Sequence, residues 1–547
     1  MQSGRSCQTA YRVTSREGVR YFLRIMPEEE SAGCRERFRM QKAAAASGVP
    51  VCQPVEMGEC EEGVYILQSW IEGEKVETAL PSLSDAEQYA CGLEAGRILK
   101  ALHALPVPED MPDGEARWNA RIDRLLEACR GCPARLEGAE QLFTYIEANR
   151  SLLKGRPRRF QHGAYHTGSL MLENGRLAAV GFERCGYGDP WEDFGCMARI
   201  VKVSPRFASG LVNGYFTNGV PLLFWKLLAL YSAYRALSGL LQPLSSGGGA
   251  AEAADILGWH DGMRSPIPSW YFKGYYLQTI DGRPYKLKAP FDFSFLASYG
   301  RVFKVFDDQD SGNICFGTER EGQRYFIKFA GAPTEAYDGT AEDAVRRLKA
   351  ALPVYRDLSG SGLEQFVQAE ETGGGYALIF RWAQGSCMGR AYPAAHRRFM
   401  SLPVKARLKV FRDILVFLEH VHACGYVAVD FYDGSILYDF ETEKTTVCDI
   451  DFFRKKPCIN DMGRMWGSGR FMSPEEYRLG AELNERTNVY TAGAFAFALF
   501  GGYSRSRDRW PLGEASYQAA AKATAEDPGG RQPSIRQFRK EWEKAFR

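Results

Sequence analysis

Residues 161–172 read QHGAYHTGSLML, and from residue 180 the chain continues VGFERCGYGDPWED. Two histidines frame a short polar loop between apolar runs, which predicts a strand, a loop carrying His162, Gly163, Ala164, His166 and Ser169, and a second strand. A comparable layout recurs at residues 425–440, GYVAVDFYDGSILYDF, followed at 445–457 by TTVCDIDFFRKKP. There the apolar run 426–429 delivers Asp430 to a loop, and Ile436-Leu437-Tyr438 restarts a strand. A β-branched run then ends at Asp451, with Asp449 on the same strand face.

Working outward, the order of signals repeats along the chain. Each half opens with strand-like segments, passes through helical patterns, reaches the strand pair around its polar loop, and ends in long helices. YRVTSREGVRYFLRIM in the first half and NICFGTEREGQRYFIKFAG in the second both read as hairpins turning at Glu-Gly, Glu17-Gly18 and Glu321-Gly322. The Gly/Ser run SSGGGAAEAA from Ser245 reads as a loop, after which a helical pattern resumes. The prolines of MRSPIPSW place the boundary near residues 264–270. Two domains are therefore expected, 1–265 and 266–547.

A chain of 547 residues is too long for one compact core. Its 45% hydrophobic and 25% charged residues are ordinary for a globular protein. Lys plus Arg (69) nearly balance Asp plus Glu (67), so no charge excess calls for nucleic acid or an anionic membrane as partner. The longest apolar stretch, from Val220, is interrupted by Lys226 and Arg235 and reads as a buried helix; YTAGAFAFALFGG from Tyr490 is too short to span a bilayer. MQSGRSCQTAYR at the N-terminus lacks the apolar core of a signal peptide, and the 14 cysteines are scattered as in reduced proteins, so a cytoplasmic location is expected. Cys129-x-x-Cys132 stands without the further ligands a zinc site needs.

The first half resembles the aminoglycoside phosphotransferase family, whose loop runs H-G-D-x-H-x-G-N and whose next strand ends I-D-F or I-D-W. The likeness covers residues 1–263 and includes the turn Gly188-Asp189-Pro190-Trp191 and Asp193. All three chemical positions depart from the family pattern. The base position holds Ala164, the amide position Ser169 and the metal-carboxylate position Gly181. Arg24 stands where the family carries Lys or Arg on its third strand, with Glu36 the nearest acid to face it and Glu183 two residues beyond Gly181. His162 and His166 are expected to satisfy backbone or aromatic contacts beneath the loop.

The second half resembles the protein kinase family. Asp430 takes the base position of H-R-D-x-x-x-x-N, Ser435 the place of Asn, and Asp451-Phe452-Phe453 that of D-F-G. YFIKFAG resembles V-A-I-K and makes Lys328 the phosphate-pairing lysine. Of the glycine-rich loop only Gly312 and Gly317 remain. The helix TAEDAVRRLKAALPVY offers Glu342 early, while spacing puts Ala351 at the usual glutamate position. FMSPEEY resembles A-P-E, with Glu475; NVYTAG resembles D-V-W-S-x-G, with Asn488 for Asp; GGRQPSIRQF resembles the closing R-P-S region. The run 454–456, Arg-Lys-Lys, reads as a solvated basic turn that could also receive a phosphate.

Together the resemblances imply an α+β chain of two tandem bilobal protein-kinase-like domains, each with a small antiparallel β-rich N-lobe and a mainly helical C-lobe. Phosphoryl transfer needs positioning, cations to neutralise phosphate charge and a carboxylate for the acceptor. Implied for the second half are ATP and Mg²⁺: Lys328, Gly312 and Glu342 on the nucleotide, Asp451 and Ser435 on the metal, and Asp430 toward a protein or small-molecule hydroxyl. The first half is expected to be a pseudokinase in contact with its neighbour. The rival reading is a double pseudokinase that senses nucleotide or serves as a scaffold. Phosphorylation of an antibiotic or amino alcohol by the first half rests on fold analogy alone.

Overall fold

A computed structural model describes residues 9–28, 31–108, 114–131, 139–241, 248–360, 362–390 and 392–546. Residues 1–8, Cys132 and positions 245–247 of the Gly/Ser run lie outside them. The chain divides into two units, 1–275 and 276–547. The division falls beyond the proline punctuation because the aromatic stretch 270–275 packs on the first unit. Tyr271 meets Trp225 with ring centroids 4.5 Å apart, and Phe272 and Tyr275 meet Tyr89 at 5.3 and 5.6 Å.

In the first unit an antiparallel sheet has the order Thr9–Thr14, Arg20–Met26, Gly63–Ser69, Pro54–Cys60, with the helix Ser31–Ala46 beside it. The rest is mainly helical. The helix Asp85–His103 starts where the sequence S-D-A-E allows a reciprocal cap: Ser84 Oγ accepts from the Glu87 N–H, and Glu87 accepts from the Ser84 N–H. Leu222–Leu240, from the longest apolar stretch, is a core helix with Leu227, Leu228, Leu230 and Leu237 buried. The pairs Leu170–Glu173 with Arg176–Ala179, and Arg159–Gln161 with Gly186–Gly188, hold the His162 loop between them.

The second unit opens with the hairpin Tyr276–Ile280 and Arg283–Leu287, then builds a sheet ordered Arg301–Phe306, Asn313–Arg320, Gln323–Ala330, Gly375–Arg381, Phe366–Thr372. Its last four strands follow the connectivity of the first unit's sheet. Among the described residues, Arg301–Phe306 has no counterpart there. The turn Glu321-Gly322 has φ of +53° and +75°, the positive values that a two-residue hairpin loop requires. Alternation along Gln323–Ala330 sends Ile327 and Phe329 to a core roofed by Phe293 and Leu296, and leaves Phe326, Lys328 and Ala330 on the other face. The helix Ala341–Asp357, capped by Thr340 Oγ1 on the Asp343 N–H, packs on that second face through Leu348, Ala351 and Tyr355. Glu485–Gly501 runs through the core of the helical part. Among the described residues no helix is long and apolar enough to cross a membrane.

Candidate functional site

In the first unit the loop after Arg159–Gln161 is held from below by a carboxylate. Asp193 accepts the N–H groups of His162 (2.8 Å) and Gly163 (2.7 Å), and His103 Nε2 lies 3.0 Å from it. Burial opposes charge on Asp193, but the His103 hydrogen bond and the neighbouring donors hold it below the usual carboxylate range. His162 is fully buried, its Nε2 3.0 Å from the Val180 carbonyl and its ring 4.7 Å from Phe182, a contact set that serves packing, as expected. Ser169 Oγ donates to the Ala164 carbonyl at 2.6 Å, and His166 Nδ1 accepts from the Gly168 N–H at 3.0 Å. Burial and the Arg199 guanidinium push His166 down to about 4, so it is neutral at physiological pH.

Gly181 sits at φ +84°, where a side chain is strained, and a Cβ there would lie 3.4 Å from Glu183 Oε2. Glu183 is ion-paired with Arg24. The strand cation is thus answered by the acid two residues after Gly181, while Glu36 is exposed on its helix.

The second unit repeats that pairing with more acid. Lys328 Nζ lies 2.9 Å from both oxygens of Asp451 and 2.7 Å from Asp449 Oδ1. Only 3% of the Lys328 side chain and 8% of Asp451 are exposed. Burial alone would lower the lysine pKa, yet Asp449 and Asp451 hold it well above its ordinary value. Asp430 turns off its strand at φ +59°. Burial, then the charges of Asp449, Asp451 and Asp310, push it up to about 8. Ser435 is fully buried with its Oγ unpartnered among the described residues, and its carbonyl accepts from the N–H of Cys448, the neighbour of Asp449.

Two expected nucleotide residues are placed differently. Glu342 is exposed in the first turn of Ala341–Asp357 and is not brought to Lys328. Ala351, at the usual glutamate position, is buried, and one turn further on Tyr355 Oη donates to Asp451 Oδ1 at 2.7 Å. The helix therefore supplies a neutral donor to the aspartate instead of an anion to the lysine. Gly312, at φ +81°, is closed over: a Cβ would meet Tyr337 at 2.6 Å and Ala344 at 2.9 Å. Gly317 lies within a strand opposite Phe326, and a Cβ there would strike the rings of Phe303 and Trp382 at 2.8 Å. Both glycines make room for aromatic rings, so neither is left as an open phosphate cradle.

Sequence reasoning missed Tyr355 and Glu364. Glu364 Oε1 accepts the Asp449 N–H at 3.2 Å, and burial lifts its pKa to about 7. The only signal for Tyr355 was its place one helical turn after Ala351. The distal motifs do meet. Arg531 makes a two-pronged buried bond to Glu475 (2.7 and 2.9 Å), and Asn488 Oδ1 accepts the Ala428 N–H at 2.8 Å, tying the Asp430 loop to the helix Glu485–Gly501. Arg454 and Lys455 are paired with Asp461 and Asp357. In front of the site, Arg347 donates to the Ser311 carbonyl and lies over the rings of Tyr337 and Trp466.

Residues 1–229 match the family model described as the phosphotransferase enzyme family, APH. No curated protein matches the chain. Among solved structures, ADP-bound aminoglycoside phosphotransferase APH(2'')-Ib is 14% identical, with 47% of this chain and 90% of that chain covered and a TM-score of 0.36. A thermostable mutant of aminoglycoside phosphotransferase APH(4)-Ia in the apo form is 15% identical (47% and 92% covered, TM-score 0.37). A choline/ethanolamine kinase family protein from Mesorhizobium loti is 16% identical (47% and 91% covered, TM-score 0.36). The α+β fold and the family match make the chain phosphotransferase-like, through its N-terminal part.

Proposed function

We propose that the chain carries two tandem kinase-like domains, of which the second transfers a phosphoryl group from ATP to a protein or small-molecule hydroxyl, in the manner of Ser/Thr kinases. The first is a phosphotransferase domain that has lost its catalysis. The observation that carries this reading is the meeting of Lys328 with Asp449 and Asp451, close enough to Asp430 for both carboxylates to raise its pKa. In the first unit Ala164, Ser169 and Gly181 offer no acid, and Glu183 is engaged by Arg24.

Among the described residues no three His, Cys, Asp or Glu side chains converge as a metal cage. Mg²⁺ commonly takes only one or two carboxylates and completes its shell with phosphates and water. Two carboxylates already share one cation, the Lys328 ammonium, and the Ser435 hydroxyl is buried without a partner among the described residues, so this donor set fits Mg²⁺. Bound there, Mg²⁺ would neutralise phosphate charge. Lys328 would exchange Asp451 for the α- and β-phosphate oxygens, leaving Asp451 and Ser435 to the metal. Asp430, deprotonated more easily once cationic charge enters the site, would accept the acceptor hydroxyl's proton.

In the full-length protein, Asp430→Asn is expected to lower ATP turnover by at least about 10² while the fold persists. Equal turnover would identify another base. A second reading, a double pseudokinase that senses nucleotide, is favoured by the Tyr355 bond on Asp451, which occupies the metal-carboxylate candidate. It predicts stabilisation by Mg-ATP without turnover in the unmodified chain.

A further inference from the structure

A cavity of about 340 Å³ opens in the first unit beside the His162 loop. Six arginines line it, Arg117, Arg121, Arg156, Arg158, Arg184 and Arg235, against three acids, Asp189, Glu192 and Asp193. The acids are already engaged by the scaffold. Asp189 accepts both prongs of Arg156 (2.6 and 3.0 Å) and the Tyr231 hydroxyl (2.7 Å). Glu192 accepts from Arg121 at 2.9 Å, and Asp193 holds the loop as described. Arg156 and Arg121 are further fixed over the rings of Trp191 (3.9 Å) and Trp118 (4.1 Å). Arg158 is engaged too, donating to the Tyr187 carbonyl at 3.2 Å. That leaves Arg117, Arg184 and Arg235, which are exposed and form no ion pair with an acid among the described residues.

These three guanidinium groups come from three separate elements: the helix Gly114–Arg130, the turn Phe182–Arg184 and the helix Leu222–Leu240. Positive charge that no acid among the described residues pairs, facing one concave space of ligand size, calls for an anion. Guanidinium forks bind oxyanions through paired N–H bonds. A tetrahedral phosphate offers three oxygens spread out of one plane, more than the two coplanar oxygens of a carboxylate, and so suits three forks arriving from separate elements. A cationic acceptor such as an amino sugar would be repelled. We propose that this cavity is a binding site for a small phosphorylated ligand, retained in a unit whose loop has lost its acids.

The test uses the full-length protein in EDTA, with inorganic pyrophosphate as probe and calorimetric titration plus thermal melting as readouts. The unmodified protein should bind pyrophosphate and melt at higher temperature in its presence. Arg117→Glu combined with Arg235→Glu should weaken binding at least about tenfold, while Arg412→Glu, an exposed charge reversal in the other unit, should leave it unchanged. If the double reversal does not fold, Arg117→Ala and Arg235→Ala singly should each weaken binding. Any of four results would overturn the proposal: no binding up to about 10 mM, equal binding by the arginine variants and the control, equal affinity for citrate, or stabilisation by spermidine in place of pyrophosphate.

Discussion

Asp430 concentrates the site's electrostatics in one residue. Its carboxyl titrates near 8 because burial and the facing Asp449 and Asp451 disfavour its charge. The raised pKa means that the folded protein binds this proton more tightly than the unfolded chain, whose aspartate titrates near 3.8. The associated stability is complete below about pH 4 and is lost as pH rises toward about 8. Asp430→Asn removes that loss. In EDTA, the melting temperature of the variant relative to the unmodified protein should therefore climb between pH 5 and pH 8.5, and a pH-independent difference would show that Asp430 titrates normally. The residue types at Lys328, Asp430 and Asp451 could be read from the chain because motif spacing fixes them. How they are partnered could not, since Asp449 reaches Lys328 and the Tyr355 hydroxyl reaches Asp451 only after the sheet, the helix and the loop have packed.

At the scale of elements, the hairpins and the two strand pairs follow from local turn chemistry and alternation, which is why they were readable in sequence. Glycines were harder to interpret, because a gap in side-chain volume looks the same whether a phosphate or a ring fills it. Gly317 is a case of the second kind. Gly317→Val should force Phe303 and Trp382 aside and cost about 1–3 kcal/mol of stability, measured by denaturant melting, and a neutral result would mean the rings repack freely. The first unit's loop allows a paired comparison. Asp193→Asn weakens the clamp on His162 and Gly163 and should cost about 1–3 kcal/mol, whereas Ala164→Ser, a change at the vacant base position, should alter neither stability nor ATP turnover. Lost turnover in Ala164→Ser would return chemistry to this loop.

Across the whole molecule, two units share a strand connectivity and a strand cation answered by an acid: Arg24 with Glu183 in one, Lys328 with Asp449 and Asp451 in the other. The order of sequence signals repeats from one unit to the other, and the division between the units lies a few residues beyond the proline punctuation because an aromatic stretch packs backward onto the first unit. What separates the two units chemically is carboxylate count, since a triphosphate needs cations and those cations need anionic oxygens. The most direct measurement is the thermal shift of the full-length protein on adding ATP with and without Mg²⁺, for the unmodified chain, Asp451→Asn and Glu183→Gln. A magnesium-dependent shift that disappears in Asp451→Asn and survives in Glu183→Gln is the expected result. A shift that survives in Asp451→Asn and disappears in Glu183→Gln would put nucleotide binding in the first unit and contradict the assignment.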